Sequence, residues 1–330
     1  MEWNRVCVSD ALAGVRGLPD ESVRTVVTSP PYYRQRDYGC LGQWGQEDCS
    51  EEYVSHLVAL FRELRRVLLP DGTVWMVIGD SYASVGRGSQ AGGKRYGQDY
   101  GPAPGPQNGI KRKDLLGIPW TVALALRQDG WYLRQDIVWY KTNPMPESVK
   151  DRCTRCHEYI FMFSRSEVYY YDHLAIATPV LGATVARMGQ DIRNQQGSNR
   201  AWGKVNGPMK AAFTVGKQDG HGRRYAGFNE RRASAQGVPM VANRKSVWPI
   251  ATAMSKEEHY ASFPAGIPRL CIQAGSKEGD VVLDPFAGTG TTLMAASILA
   301  RKYIGFDLNS SYVGIAKRRL KELEGIFYRE

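Results

Sequence analysis

The sequence predicts an α/β protein built on a mostly parallel sheet covered by helices. Three observations predict it. Short apolar runs alternate with segments that are apolar at helical spacing, turn residues separate them, and the same alternation resumes after a long basic, Gly-rich interruption. With 330 residues and 43% apolar content, the chain can bury a sizeable core, in one large domain or one domain plus an insertion.

The elements follow in order. Val23 to Thr28 is an apolar run of strand length. From Glu51, the residues Val54, Leu57, Val58, Phe61, Leu64 and Leu68 recur at three and four positions, so this segment is a helix, which Pro70-Asp71-Gly72 stops. Thr73 to Ile78 is a buried strand. A further helix after Pro119 gives way at Gly130 to an extended stretch from Trp131 to Tyr140. Tyr159 to Phe163 and Val168 to Tyr171 are predicted to close this part as a pair of strands. Beyond the basic interruption, Asp280 to Leu283 and Lys302 to Phe306 are strands. Thr291 to Ala300 and Ser311 to Leu323 are helices.

Charge is unevenly spread. Between His173 and Ser246 there are 12 Lys or Arg against 3 acids, and between Ser84 and Lys113 6 against 1, in a chain of net charge +10. Everything outside these two stretches is therefore net acidic. Both stretches are Gly-rich and unlike packed core, and their shared sign points to a polyanionic partner. The six cysteines are scattered, unlike a disulfide framework. Cys153-Thr154-Arg155-Cys156-His157 matches a haem-attachment pattern, but that chemistry belongs to exported proteins, and Met1 to Asp20 has no secretory succession. No apolar run approaches the roughly 20 residues of a membrane helix. The expected location is the cytoplasm, without membrane contact, and no metal site is expected.

Asp284-Pro285-Phe286-Ala287-Gly288-Thr289-Gly290-Thr291-Thr292 follows a strand and opens a helix, the arrangement of a nucleotide-type cofactor site. Two absences narrow the ligand. No Gly-Lys-Ser/Thr ending makes it a P-loop, and Leu293 stands where a dinucleotide fingerprint wants its third Gly. The turn suits a nucleoside without a phosphate chain. Asp307, at the next strand's end, is placed to accept hydrogen bonds from ribose hydroxyls. His259, Phe263 and Pro264 can enclose the ligand's apolar portion.

Thr28-Ser29-Pro30-Pro31-Tyr32-Tyr33 lies at another strand end. Consecutive prolines fix φ and remove backbone donors, so Ser29 Oγ and the Pro30 carbonyl can present a rigid pair of acceptors. An exocyclic amine needs such acceptors, because its lone pair is delocalised into the ring and must be drawn back to nitrogen before it attacks a methyl group. Tyr32 offers a flat face on which a flipped base can stack. Tyr33 and Asp80 are further candidates for contact with DNA, although Asp80 can equally cap a turn.

Ser29-Pro30-Pro31-Tyr32 together with Asp284-Pro285-Phe286-Ala287-Gly288-Thr289-Gly290 resembles the amino-group DNA methyltransferases, in the beta-type, circularly permuted order where the catalytic motif precedes the cofactor motif. The Gly-Ile-Pro-Trp, Ile-Val-Trp-Tyr-Lys and His-Glu-Tyr stretches between Asp114 and Glu158 extend the likeness; the basic segment lies outside it. The resemblance implies a Rossmann-like sheet with helices on both faces, S-adenosylmethionine as methyl donor and a base flipped from double-stranded DNA. It implies that Asp10 approaches the cofactor's adenine. It divides the chain into a catalytic half, 1–172, carrying a Gly/Pro-rich basic loop at 84–113, a target-recognition insertion, 173–246, and a cofactor-binding half, 247–330. Ser in the catalytic turn usually accompanies cytosine N4, whereas Asp or Asn accompanies adenine N6. An adenine enzyme, an RNA methyltransferase, an inactive nucleic-acid-binding relative and a dehydrogenase are the rivals. A cognate restriction endonuclease acting on the same site, and a monomeric or homodimeric state, are both compatible with the likeness.

If the insertion grips phosphates, neutralising Arg223, Arg224, Arg231 and Arg232 flattens the salt dependence of DNA affinity. The slope of log affinity against log salt should fall by about 0.9 for each phosphate no longer neutralised, measured by titration over a range of salt. An unchanged slope would place these arginines away from the duplex.

Overall fold

Branched and aromatic runs make the strands here, and amphipathic segments between them make the helices. In chain order these are β1 (Arg5–Val8), α1 (Ala11–Arg16), β2 (Val23–Thr28), α2 (Ser50–Val67), β3 (Leu68–Ile78), α3 (Ile118–Gln128), β4 (Tyr132–Tyr140) and β5 (His157–Ser164). There follow β6 (Thr178–Pro179), β7 (Val241–Ala242), β8 (Val247–Pro249), α4 (Gly266–Gly275), β9 (Val281–Asp284), α5 (Thr291–Ile298), β10 (Lys302–Asp307) and α6 (Ser310–Phe327). The computed structural model describes residues 2–83, 110–180, 241–252 and 263–327. Most of the Gly/Pro-rich basic loop, most of the basic insertion with Arg223, Arg224, Arg231 and Arg232, and His259 lie outside the described residues.

One eight-stranded sheet has the order β1-β10-β9-β2-β3-β5-β4-β8. From β1 to β3 every pairing is parallel, β5 runs antiparallel to both of its neighbours, and β8 is parallel to β4. The Rossmann-like α/β class expected from the sequence is the one observed. The chain divides into two compact units, Met1–Asp172 with Lys245–Glu330, and His173–Arg244. In the second unit, β6 and β7 pair antiparallel, and Arg244 Nε donates to the Ile176 carbonyl at 2.9 Å.

The order of the strands creates a switch point. β9 leads through α5 to β10 on one side, while β2 leads through α2 to β3 on the other. β2 and β9 pair with each other in the middle, with Val26 opposite Leu283. Connections diverging from two adjacent parallel strands leave a crevice at their C-terminal ends, where α/β sheets bind ligands.

Period-two alternation in β3 assigns its two faces. Val74, Met76 and Ile78 pack into the cluster formed by α1, α2 and α3, whereas Trp75 faces the other way and stacks near Tyr171 and Trp248. On α2, Tyr53, Leu57, Leu60, Phe61, Leu64 and Val67 form the buried stripe. Glu51 and Glu52 in its first turn and Arg65 and Arg66 in its last complement the helix dipole. On the opposite face, Gly305 of β10 meets Leu293 of α5 so closely that a Cβ there would lie 2.7 Å from the Leu293 side chain.

Two expectations need correction. α2 ends at Val67 and Leu68 is already extended, so β3 begins before Pro70-Asp71-Gly72. Val23 pairs with Leu68 and Thr25 with Thr73, so the residues between bulge out of the ladder, where a proline costs no hydrogen bond. Val168 to Tyr171 is not a strand. Two of its tyrosines are held by cations: Arg134 lies 5.2 Å from the Tyr169 ring, and Arg24 and Lys277 lie 5.8 and 5.2 Å from that of Tyr170. β4 and β5 form the closing antiparallel pair instead.

Phe61 packs edge-on against Trp131 and Phe163 at 5.8 and 6.0 Å with no exposed surface. Phe61→Ala should therefore cost about 3–5 kcal/mol of stability, read from denaturant unfolding. A loss below about 1 kcal/mol would contradict this packing.

Candidate active site

The site is built around one carboxylate. Asp284 ends β9 and is buried to 1% exposure. Thr28 Oγ1 and the Phe286 N–H donate to its Oδ1 at 2.7 and 3.0 Å, and Thr292 Oγ1 donates to its Oδ2 at 2.7 Å. Desolvation raises its pKa to about 6, and these donors oppose the rise. Thr28 is the last residue of β2, so a single hydrogen bond joins the tips of the two central strands across 256 positions of sequence.

Beyond Asp284 the turn uses the left-handed region at Gly288 (φ 52°) and Gly290 (φ 84°), which a side chain would resist. The Ala287 N–H donates to the Phe306 carbonyl at 2.8 Å and the Gly288 N–H to Asp307 Oδ2 at 2.8 Å, which docks the turn on the end of β10. Asn309 N–H donates to Asp307 Oδ1, also at 2.8 Å. Burial raises the Asp307 pKa against these two donors. Leu293 in place of a third Gly is explained by Gly305: the close helix-to-strand approach is provided from the strand side.

Asp284, the turn after it and Asp307 line a cavity of about 850 Å³, solvent at its open mouth included. Asp10, which caps α1 by accepting from the Ala13 N–H at 3.0 Å, lies in its wall together with Ser29, Pro31, Phe263 and Asp307. So do Asp284, Pro285, Phe286, Ala287, Gly288, Thr289, Thr291 and Thr292. Gly290 turns the chain into α5 just behind that wall. Pro264 is buried, and its carbonyl accepts from Ile267 at the start of α4. The two sequence motifs thus meet in one crevice.

The sequence motifs do not announce the other wall. Residues 34–48 contribute Tyr38, Cys40, Gly42, Gln43 and Trp44. This loop is tied internally: Arg34 donates to the Glu47 and Asp48 carbonyls at 3.0 Å each, and Gln43 Oε1 accepts from the Tyr38 N–H at 2.8 Å. Tyr38 meets Tyr312 edge-on at 6.4 Å, and Trp44 meets Phe286 at 5.4 Å. Burial pushes the Tyr38 hydroxyl up to about 12. The signal that could have found this wall is its run of aromatic and amide residues directly after the proline turn.

Within the proline turn, Pro30 is buried and Ser29 partly exposed. Tyr53 of α2 donates its hydroxyl to the Pro31 carbonyl at 2.8 Å, anchoring the turn to the core. Tyr32 stands beside the cavity and donates to Glu158 Oε2 at 2.7 Å, while Ser29 Oγ lies 3.4 Å from its hydroxyl. Burial, then the nearby Glu158 charge, holds the Tyr32 pKa well above the usual phenol range.

Two candidates for DNA contact are otherwise engaged. Tyr33 is 3% exposed and tilts against Tyr53 at 5.5 Å, because neighbouring residues of the turn point to opposite sides and Tyr33 takes the core side. Asp80 caps α3: its carboxylate accepts from the Gly117 and Ile118 N–H groups at 3.0 and 3.2 Å, as well as from Ser81. Its capping reading is the one the geometry supports. Among the described residues no group of three or more His, Cys, Asp or Glu side chains is arranged to hold a metal ion, and no helix is long and apolar enough to cross a membrane.

Comparison with known proteins gives a consistent picture. The family model for DNA methylases matches residues 23–318. The type II methyltransferase M.SmaI of Serratia marcescens is 40% identical over 317 residues, covering 96% of this chain and 90% of its own. Among solved structures, the cytosine-N4-specific PvuII DNA methyltransferase superposes with a TM-score of 0.60 at 18% identity, covering 98% of this chain and 91% of that one. A putative DNA modification methylase from Thermus thermophilus, solved with S-adenosyl-L-methionine, does so at 0.54 and 23%, covering 97% and 93%. At these identities the two structures speak for the fold.

The raised pKa of Asp284 has a signed consequence. A carboxyl titrating near 6 when folded and near its ordinary 3.8 when unfolded adds stability as pH falls through 6 toward 4, and that stability is lost as pH rises. Asp284→Asn does not titrate. The difference in thermal midpoint between wild type and this variant should therefore move in favour of wild type on going from about pH 7 to about pH 5. A difference that stays constant with pH would count against the shift.

Proposed function

Because the chain belongs to the DNA methylase family, whose model runs over residues 23–318, we propose that it methylates the exocyclic N4 amine of a cytosine flipped out of double-stranded DNA, with S-adenosylmethionine as donor. One observation carries the reading. Ser29 and Pro31 of the proline turn share a cavity with the glycine turn and Asp307. A methyl donor bound by the second motif is thereby next to acceptors presented by the first.

The cavity fits that donor. Each Asp307 carboxylate oxygen accepts from one backbone N–H, of Gly288 or Asn309, and has further lone pairs for ribose hydroxyls. Trp44, Phe286 and Tyr312 provide aromatic walls, and Phe263 an apolar one. Asp10, Asp284 and Asp307 make the lining acidic, which suits a cationic ligand and disfavours a phosphate chain. S-adenosylmethionine, when bound, supplies a methyl group on a positively charged sulfur. Pro264, Gly290 and the rest of the turn from Asp284 to Thr292 shape the backbone around it.

Ser29 Oγ and the Pro30 carbonyl act as acceptors for the target amine. Neither is basic enough to deprotonate it beforehand, so they orient the N–H groups and localise the lone pair while nitrogen attacks. The proton leaves after transfer has made that nitrogen cationic. Tyr32 supplies the stacking face for the flipped base. Serine in the turn, where an adenine enzyme usually carries Asp or Asn, favours cytosine over adenine. The basic insertion 173–246 is the target-recognition region, and DNA affinity is assigned to it and to the basic loop. The type II relative supports a place in a restriction-modification pair, in which methylation protects the site from a cognate endonuclease.

Nucleosides from DNA methylated by the protein, separated by mass spectrometry, should contain N4-methylcytosine. N6-methyladenine alone would overturn the assignment of the base. Ser29→Ala should lower kcat by roughly 10² to 10³, the loss typical of one preorganised transition-state hydrogen bond, with cofactor affinity nearly unchanged by calorimetry.

A further inference from the structure

Among the described residues, a largely enclosed charged group near the site belongs to neither the proline turn nor the glycine turn. Glu158 lies on β5 and Lys141 just after β4. The antiparallel register that sets Tyr140 opposite His157 and Trp139 opposite Glu158 brings the two side chains together. Lys141 Nζ donates to Glu158 Oε1, and the pair is largely enclosed, at 22% and 15% side-chain exposure. Lys141 also lies 4.9 Å from the centre of the Trp139 ring. The other carboxylate oxygen, Oε2, accepts the Tyr32 hydroxyl at 2.7 Å. Each Glu158 oxygen therefore has its own donor.

An enclosed ion pair is a poor way to gain stability, since desolvation offsets most of its attraction and apolar side chains of similar size often do as well. What it does provide is direction. Lys141 holds Glu158 in one place, and Glu158 holds the far end of Tyr32 through its hydroxyl. The ring is also backed by main chain: a Cβ at Gly79 would lie 2.6 Å from its edge carbon Cε2, so the chain leaves no room there for a side chain. Tyr53 fixes the preceding carbonyl of Pro31. Tyr32 is pinned at its backbone, along its ring and at its tip.

We propose that Glu158, held by Lys141, is a positioning residue for the flipped base, acting through the hydroxyl of Tyr32 to fix the plane on which that base stacks. The inference rests on the function proposed above and adds to it a residue 126 positions from the catalytic turn. A tyrosine used only as a flat apolar face would need no such anchor, and phenylalanine would serve.

The test is a double-variant cycle with Glu158→Leu, which leaves no acceptor for the Tyr32 hydroxyl, and Tyr32→Phe, which removes the same bond while leaving the ion pair intact. Turnover on a DNA duplex, calorimetric affinity for S-adenosylmethionine and thermal midpoint are measured for each. A fluorescent cytosine analogue at the target position reports how firmly the base is stacked. Each single variant should lower kcat by about 10- to 100-fold, with cofactor affinity within about threefold of wild type and a changed fluorescence of the bound analogue. The double variant should lose no more than the worse single one, because both remove one interaction. Losses that multiply, or a Tyr32→Phe enzyme with wild-type kcat and fluorescence, would overturn the proposal. Failure of the underlying reading is seen separately, as a wild-type protein that puts no methyl group on cytosine N4.

Discussion

The carboxylate of Asp284 is the point on which the rest of the molecule turns. A buried acid is costly unless its lone pairs are occupied, and here the donors come from three places: the end of β2, the turn after β9 and the first turn of α5. Satisfying the acid therefore fixes those three segments relative to one another. The crevice at the switch point inherits its shape from that requirement. Ser29 follows Thr28 directly, so the same bond that steadies β9 also sets where the proline turn begins. The wall made by the glycine turn and the wall made by the proline turn are two sides of one hydrogen-bonded knot.

Much of this is legible in the sequence because the signals are local. Apolar spacing marks α2, the apolar runs mark β2, β9 and β10, and the two turns announce their chemistry through Pro and Gly at fixed offsets. What escapes depends on residues far apart. Nothing near Thr28 indicates that it will meet Asp284, and nothing near Tyr32 indicates Glu158. Leu293 reads as a departure from a glycine pattern, but the small residue has moved to the facing strand at Gly305. Tyr33 reads like Tyr32 because they are adjacent, although adjacency in a turn sends side chains to opposite sides. Val168 to Tyr171 has the composition of a strand but joins no ladder, and the rings of Tyr169 and Tyr170 find cations instead. Residues 34–48 carry no periodicity, so apart from their run of aromatic and amide residues their place as a cavity wall follows from the fold.

The electrostatics divide between two tasks. Carboxylates concentrate where the strands end, at Asp10, Asp284 and Asp307, and two of them sit above the usual carboxylate range because they are buried. Positive charge concentrates in the two Gly-rich stretches, leaving the remainder of the chain net acidic. A cationic small molecule and a polyanion make opposite demands on a protein surface. Separating the demands along the chain lets each be met without neutralising the other.

The pairing of β2 with β9 also bears on how the protein is made. Thr28 leaves the ribosome long before Asp284, 256 residues later, a wait on the order of tens of seconds at synthesis rates of about 5–20 residues per second. Through that interval β2, with Val26 and Val27 wholly buried in the finished sheet, has one edge unpaired, the kind of surface to which stray strands add. The nascent chain therefore completes its sheet from the middle and late, and the step that closes its centre is the step that assembles the crevice. A truncated product ending before β9 would have neither a closed sheet nor the half of the crevice that Asp284 organises, so incomplete synthesis yields silence and not partial activity.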